Sequence, residues 1–341
     1  MATKLRLELL AVLSMAAIGI GVLDFMAIIT PQHCYAAGTT TVVRHIYISQ
    51  NKPADFNSIQ KAIDSIPVGN NQWIRLHIAA GVYHEKVKVP QNKSYILLEG
   101  EGRDQTVIEW GDHAGNNGDT DTANSATFAS YADDSMARYI TFKNSHDGVK
   151  NMGPALAALV SGDRSSFHDC SFISVQDTLS DLAGRHYYEN CYIEGSVDFI
   201  FGNAQSIFQG CEVSTGKSSV RQGFITAQGR ESEEKDTGFV FKSCKVGGVT
   251  PVYLGRAWSA YARVIFYRTD MSNIIVSRGW DAWNSVGNES KMMMVESECT
   301  GPGSNRTGRV PWSKELRPDK ISRFLDLSYI SADGWLDAQP R

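Results

Sequence analysis

The sequence predicts an all-β chain: a single-stranded right-handed parallel β-helix with a short capping helix near its amino end. Three observations carry this. The segments FHDCSF, YENCYI, FQGCEV and FKSCKV surround Cys170, Cys191, Cys211 and Cys244, each with an aromatic three residues before the cysteine (Phe167, Tyr188, Phe208, Phe241) and an apolar residue two after it (Phe172, Ile193, Val213, Val246). Cys191 follows Cys170 by 21 residues and Cys211 follows Cys191 by 20, a solenoid period, while the 33 residues to Cys244 leave room for an inserted loop. Within each copy the apolar positions alternate over only a few residues between Gly, Ser, Asn and Asp, which is the signature of strands and turns. Such coils stack on one another, so that equivalent positions form ladders.

The first 36 residues stand apart. Lys4 and Arg6 precede an apolar run from Leu9 to Leu23, and small residues follow at Ala36 and Ala37, the layout of a secretory signal peptide. A membrane anchor is the competing reading, but Asp24 interrupts the run and the apolar core is short for a span. Residues 37–341 then form one domain, because no Pro/Ser-rich linker or charge block divides them. In FNSIQKAIDSIP, apolar residues at Phe56, Ile59, Ala62, Ile63 and Ile66 predict an amphipathic helix that caps the open end of the solenoid. IRLHIAAGVYHEKVKVP reads as two strands about a glycine, followed by SYILLEGEG and TVIEW; residues 111–125, polar and Gly-rich, read as a projecting loop. Strands resume at SATFAS and ARYITFKN, pass through the four cysteine-bearing coils, and continue as VYLGRAW and ARVIFYRT. RGWDAWN follows, and in the irregular tail SKELRPDKISRFL predicts a short helix packed on the solenoid.

The repeat has a chemical consequence. Asp177 and Asp198 each stand seven residues after a ladder cysteine, one coil apart at the same offset. With strands about 4.8 Å apart, the two carboxylates are expected within roughly 5 to 7 Å of each other. An aspartate after a strand is ordinarily a turn residue, but two in register, the second inside the apolar run SVDFIF, point to an acid/base site. Two carboxylates this close cannot easily both ionise, so one pKa rises and the other falls.

Composition narrows the field. The 341 residues are 42% hydrophobic and carry a formal charge of −4, which loss of residues 1–36 leaves unchanged. A mildly acidic chain lacks the basic surface that a nucleic-acid binder needs. Without Cys34, five cysteines remain, four of them on the ladder, so stacked free thiols are expected rather than a disulfide framework. No CxxC or HExxH pair suggests a metal, no cofactor is implied, and His168 and His186 read as strand-edge or turn residues. Sequons at Asn92, Asn288 and Asn305 fit export.

From FNSIQKAID through GVYHEKVKVP, SVQDTL, GSVDFIFG, ITAQGR and YLGRAW to GPGSNRTGRVPW, the chain resembles plant pectin methylesterases, in the form without the amino-terminal inhibitor-like pro-region. The resemblance spans nearly all of residues 45 to 340. It implies a pectin lyase-like β-helix, secreted to the cell wall as a monomer, that removes methyl esters from homogalacturonan, with a proteinaceous inhibitor as a partner. It further implies Asp198 as nucleophile, Asp177 as general acid and then base, Gln176 as oxyanion donor, and Arg256 as the group that holds the nucleophile. Substrate contacts are implied at Arg256, Trp258, Thr122, Phe201 and Tyr253. Read singly, Arg256 is equally a surface salt-bridge partner, and Trp258, Tyr253, Phe201 and Trp283 also read as core aromatics, with Trp258 the best candidate for the cleft and Phe201 the one expected to be buried.

Two positions depart from the pattern. Pro154, in GPALAALVSGDRS, stands 22 residues before Gln176, where the family usually has a second glutamine; proline has neither a side-chain amide nor a backbone N–H, so that oxyanion donor is lost. Ser180 replaces the aromatic that usually follows QDTL and removes a sugar contact. The alternative to an active esterase is therefore a weakly active or inactive pectin-binding homologue. A lyase or glycosidase on the same fold is a third reading. A lyase would want a calcium-binding acidic cluster, and a glycosidase leaves Gln176 and Arg256 without a role.

Overall fold

Runs of three to six alternating residues cannot satisfy their own backbone, so each strand bonds to the equivalent run one coil away. In the computed structural model, which describes residues 40–115, 120–148 and 152–341, this produces three parallel sheets of eleven, eight and eight strands. Neighbours in each sheet are strands from successive coils, as in a right-handed parallel β-helix. The signal-peptide reading of residues 1–36 lies outside the described residues.

The predicted ladders are in register. Phe167 pairs with Tyr188, Tyr188 with Phe208 and Phe208 with Phe241. Their rings stack at 5.2, 4.6 and 4.5 Å between centroids, and Phe266 extends the column at 4.5 Å. Phe172, Ile193, Val213 and Val246 form the second ladder. The cysteines are free thiols, and three of them donate to a backbone carbonyl of the preceding coil: Cys191 to Phe167, Cys211 to Tyr188 and Cys244 to Phe208, at 3.5, 3.5 and 3.3 Å. Cys299 repeats the contact on Phe266 at 3.4 Å. It belongs to the same column, with Thr269 between it and Cys244, an interruption that hides it from a search for cysteine spacing.

The amino-terminal helix is shorter than its apolar periodicity suggests. It runs Ile59–Asp64, because Ser58 adopts extended backbone and its hydroxyl caps Lys61 N–H. The Glu85 carboxylate, from the next coil, accepts from Ile59 N at 2.8 Å and Gln60 N at 3.1 Å, tying the helix's positive end to the solenoid. Phe56 lies outside the helix and bridges to Ile48 instead. At the other end the helix Pro318–Leu325 and its successor Ser328–Ser331 cover the outer face of the eleven-stranded sheet, where Ile321, Phe324, Ile330 and Trp335 pack on Tyr187, Ile207, Val240, Ile265 and Val295. Buried Glu296, held by Arg306 at 2.8 Å and Arg309 at 2.9 Å, also accepts from Trp280 Nε1, and so ties the GPGSNRTGR segment to the last coils.

One histidine departs from the sequence reading. His186 is no edge residue: it sits fully buried within strand Arg185–Glu189, with Nδ1 2.5 Å from Asp181 and Nε2 2.9 Å from the Gly162 carbonyl. Asp181 also accepts from Tyr188 and Ser206, so a polar cluster that alternation alone reads as turn chemistry is a satisfied buried network. His168 ends strand Ser165–His168, as expected.

Candidate active site

Gln176 bridges to Val197 and Asp177 N–H donates to Val197 O at 3.0 Å, so Asp177 and Asp198 occupy equivalent positions in consecutive coils. Both have left-handed backbone, φ 60° and 46°. Aspartate tolerates this conformation better than most side chains. The turn carries each carboxyl out of the stacked core to the outer face of the coil, onto a cleft of about 320 Å³ lined by Thr122, Asp177, Asp198, Phe201, Ala227, Trp258 and Trp283. Backbone pairing supplies the rest of the wall. Ser180, Phe201, Ala227 and Arg256 are successive partners across four strands of one sheet.

Arg256 Nε donates to Asp198 Oδ1 at 2.7 Å, and Nη2 donates to Oδ2. This two-point fork positions the carboxylate and favours its anionic form. Burial leaves the Asp198 pKa above its ordinary value although the hydrogen bonds and charge of Arg256 pull it down, so neither carboxyl falls as the sequence reading expects, because both are buried. Asp177 has no such fork. Burial first, then the charge of Asp198, push it to about 7, against smaller opposing pulls from Arg256 and a hydrogen bond with Gln176. Asp177 therefore keeps its proton towards neutrality, while the Arg256 fork favours the anionic form of its neighbour.

The other expected residues divide. Thr122, Phe201 and Trp258 line the cleft, Trp258 is 41% exposed, and its ring meets Phe201 at 6.1 Å. Tyr253 does not line the cleft: it stacks on Phe224 at 5.0 Å, one ring behind the site. Ser180 is buried at 2% exposure between Leu159 and Phe201 in the ladder. The Pro154 carbonyl accepts from Ala114 N at 2.8 Å, which ties the 111–115 loop to the coil before the acid. Trp283, which sequence left open as a core aromatic, is a cleft wall and lies against Arg256 at 3.7 Å; Phe224, which sequence reasoning missed, lies against it at 4.3 Å. The available signal for Phe224 was pairing of the strand Gly223–Gln228 with Val252–Ala257, which sets it one coil from Tyr253. Among the described residues no group of three or more His, Cys, Asp or Glu is placed to hold a metal.

Two carboxyls in equivalent positions, only one of them forked by a guanidinium, in an aromatic-walled cleft on a parallel β-helix, define an acid/base hydrolase. The Pectinesterase family model matches residues 45–333, and the chain belongs to the pectinesterase family, enzymes that demethylesterify pectin. It is 41% identical to "Probable pectinesterase 29" of Arabidopsis thaliana over 307 residues, covering 87% of this chain and 90% of that one. "Putative pectinesterase 10" of the same plant is 43% identical over 309 residues, covering 89% of each. Among solved structures, the pectin methylesterase from carrot superposes with a TM-score of 0.83 at 31% identity, covering 88% of this chain and 97% of that one. A pectin methylesterase in complex with a hexasaccharide superposes at 0.75 with 25% identity, covering 86% and 98%.

Proposed function

We propose that this pectinesterase works by covalent aspartyl catalysis on methyl-esterified homogalacturonan, with Asp198 as nucleophile and Asp177 as acid and base. The observation that carries this reading is the asymmetry of the pair: Asp198 is forked by Arg256, while Asp177 is unforked and protonated up to about pH 7. Ionised Asp198 attacks the ester carbonyl carbon, and the carbonyl π pair moves onto oxygen. As that oxyanion collapses, the bond to the methoxy oxygen breaks and Asp177 gives it a proton, releasing methanol. Asp177, now ionised, takes a proton from water; the hydroxide attacks the acyl-aspartate, freeing the galacturonic acid carboxyl and restoring Asp198 as the anion and Asp177 as the acid. The sum is ester plus water to acid plus methanol.

Gln176 is the fixed amide beside the acid and serves the oxyanion; Trp258 and Phe201 offer flat apolar faces to sugar rings, and Thr122 borders the same space. Pro154 leaves one donor fewer, which lowers the rate without removing any member of the acid, nucleophile and arginine set. The layout of residues 1–36 supports export, and the enzyme acts as a monomer in the cell wall, where a proteinaceous inhibitor is the partner the family resemblance implies.

The test is methanol release and chain length followed together on highly methylated homogalacturonan, with Asp198→Ala as control. Methanol without shortening, lost in the variant, is the expected result. Chain scission refutes the esterase reading, and tight binding without methanol supports an inactive homologue.

A further inference from the structure

Resting on that reading, a second layer of the site concerns how Arg256 itself is held. Its guanidinium sits at the end of a flexible stem, yet it must stay in the plane of the Asp198 carboxylate for both hydrogen bonds to survive. Hydrogen bonding alone leaves that plane free to swing. Two rings bear on it: Trp283 with its centroid 3.7 Å from the guanidinium carbon, and Phe224 at 4.3 Å. Both distances are well inside the range in which a cation is attracted to a ring face.

Each ring is itself anchored. Phe224 is backed by Tyr253, nearly parallel at 13° and 5.0 Å away. Trp283 has φ 41°, a left-handed conformation that a bulky residue adopts only where its surroundings impose it. Its N–H donates to Asp281 Oδ1 at 2.7 Å, and Asp281 is the strand partner of Arg256. Ser285, in the same short turn, donates to the Ala257 carbonyl at 3.4 Å. The turn that presents Trp283 is thus tied to the strand that presents Arg256.

We propose that Phe224 and Trp283 are positioning residues for the esterase reaction, a π clamp that keeps the Arg256 guanidinium coplanar with the Asp198 carboxylate, with Tyr253 as its backing ring. Trp283 also walls the cleft, whereas Phe224 is not among the cleft-lining residues, so Phe224 reports on the clamp alone. The charged groups around Asp198 are Arg256, Asp177 across the coil, and Asp281 beside Arg256.

Steady-state methanol release from highly methylated homogalacturonan, measured across pH for wild type, Phe224→Leu and Phe224→Tyr, tests the clamp. Phe224→Leu is expected to lower kcat about tenfold with KM within about twofold of wild type. The acid limb of its kcat profile is expected to move up by about half a pH unit, since a less well-held guanidinium favours the Asp198 anion less. Phe224→Tyr, which keeps the ring, is expected to restore both. An unchanged kcat and acid limb in folded Phe224→Leu overturns the proposal, as does a raised KM at constant kcat, which would make Phe224 a sugar contact. If Phe224→Leu does not fold, Tyr253→Leu withdraws the backing ring, and its expected outcome is the same direction of change with smaller amplitude; wild-type behaviour there overturns the proposal. Failure of the wild-type enzyme to release methanol refutes the esterase reading, whereas normal wild-type turnover with an indifferent Phe224 refutes only the clamp.

Discussion

Replacing Asp177 by asparagine should make the protein more stable and far less active, and the stability gain should depend on pH. In the native state Asp177 moves from an ordinary 3.8 to about 7. At about 1.36 kcal/mol per pH unit, the buried carboxylate costs the ionised native state about 4 kcal/mol, and sharing of the titration with Asp198 brings the expected effect to about 2–4 kcal/mol. Between pH 3.8 and about 7 the folded chain holds a proton that the unfolded chain has released. Native stability contributed by this group is therefore complete below pH 3.8, falls as pH rises through the window, and levels off above about 7. Asparagine has no proton to lose. The variant's advantage should be small at pH 4 and reach its full value by pH 8, a difference of about 3 to 6 °C in Tm. Changes in hydrogen bonding or packing caused by the amide do not vary with pH, so comparing thermal unfolding of both proteins at several pH values isolates the ionisation. kcat should fall about 10²- to 10⁴-fold, the usual contribution of a positioned acid/base. A gap in Tm that is the same at pH 4 and pH 8 would refute the assignment of the raised pKa to Asp177.

Three further outcomes follow from the same geometry. Pro154→Gln should raise kcat by about tenfold or more by restoring an amide donor in the coil before Gln176, and stopped-time methanol assays at saturating substrate check it. Trp258→Ala removes a 41% exposed ring that packs on Phe201, so KM for oligomeric substrate should rise several-fold while kcat changes little; no change in KM would remove Trp258 from the sugar path. Phe208→Ala cuts the aromatic column between Tyr188 and Phe241 and should cost about 3–5 kcal/mol in chemical denaturation, without altering the pH profile of the residual folded enzyme.

Much of this was written locally. The aromatic and cysteine ladders were legible because a coil repeats at a nearly constant length, and a repeat converts sequence offset into spatial proximity. The same logic brought Asp177 and Asp198 to equivalent positions, and those positions are equivalent in the structure. Legibility failed where contacts cross the repeat unevenly. Cys299 was hidden by Thr269, and His186 looked like a turn residue because its partner Asp181 follows no period. The family resemblance implies Tyr253 as a substrate contact, yet its stack on Phe224 sets it one ring back from the cleft.

The sequence by itself determined the solenoid, the register of its core and the identity of the two carboxyls, because these depend on periodic burial and on side chains a few residues apart. The family resemblance already implies that Asp177 gives the proton and that Arg256 holds Asp198; only the tertiary structure decided how that guanidinium is held and how burial shifts each carboxyl. Those outcomes depend on Arg256, 58 residues beyond Asp198, and on Phe224 and Trp283, which reach the same guanidinium from separate coils. A charge's environment is set by everything within a few ångströms of it, and that neighbourhood exists only once the coils have stacked.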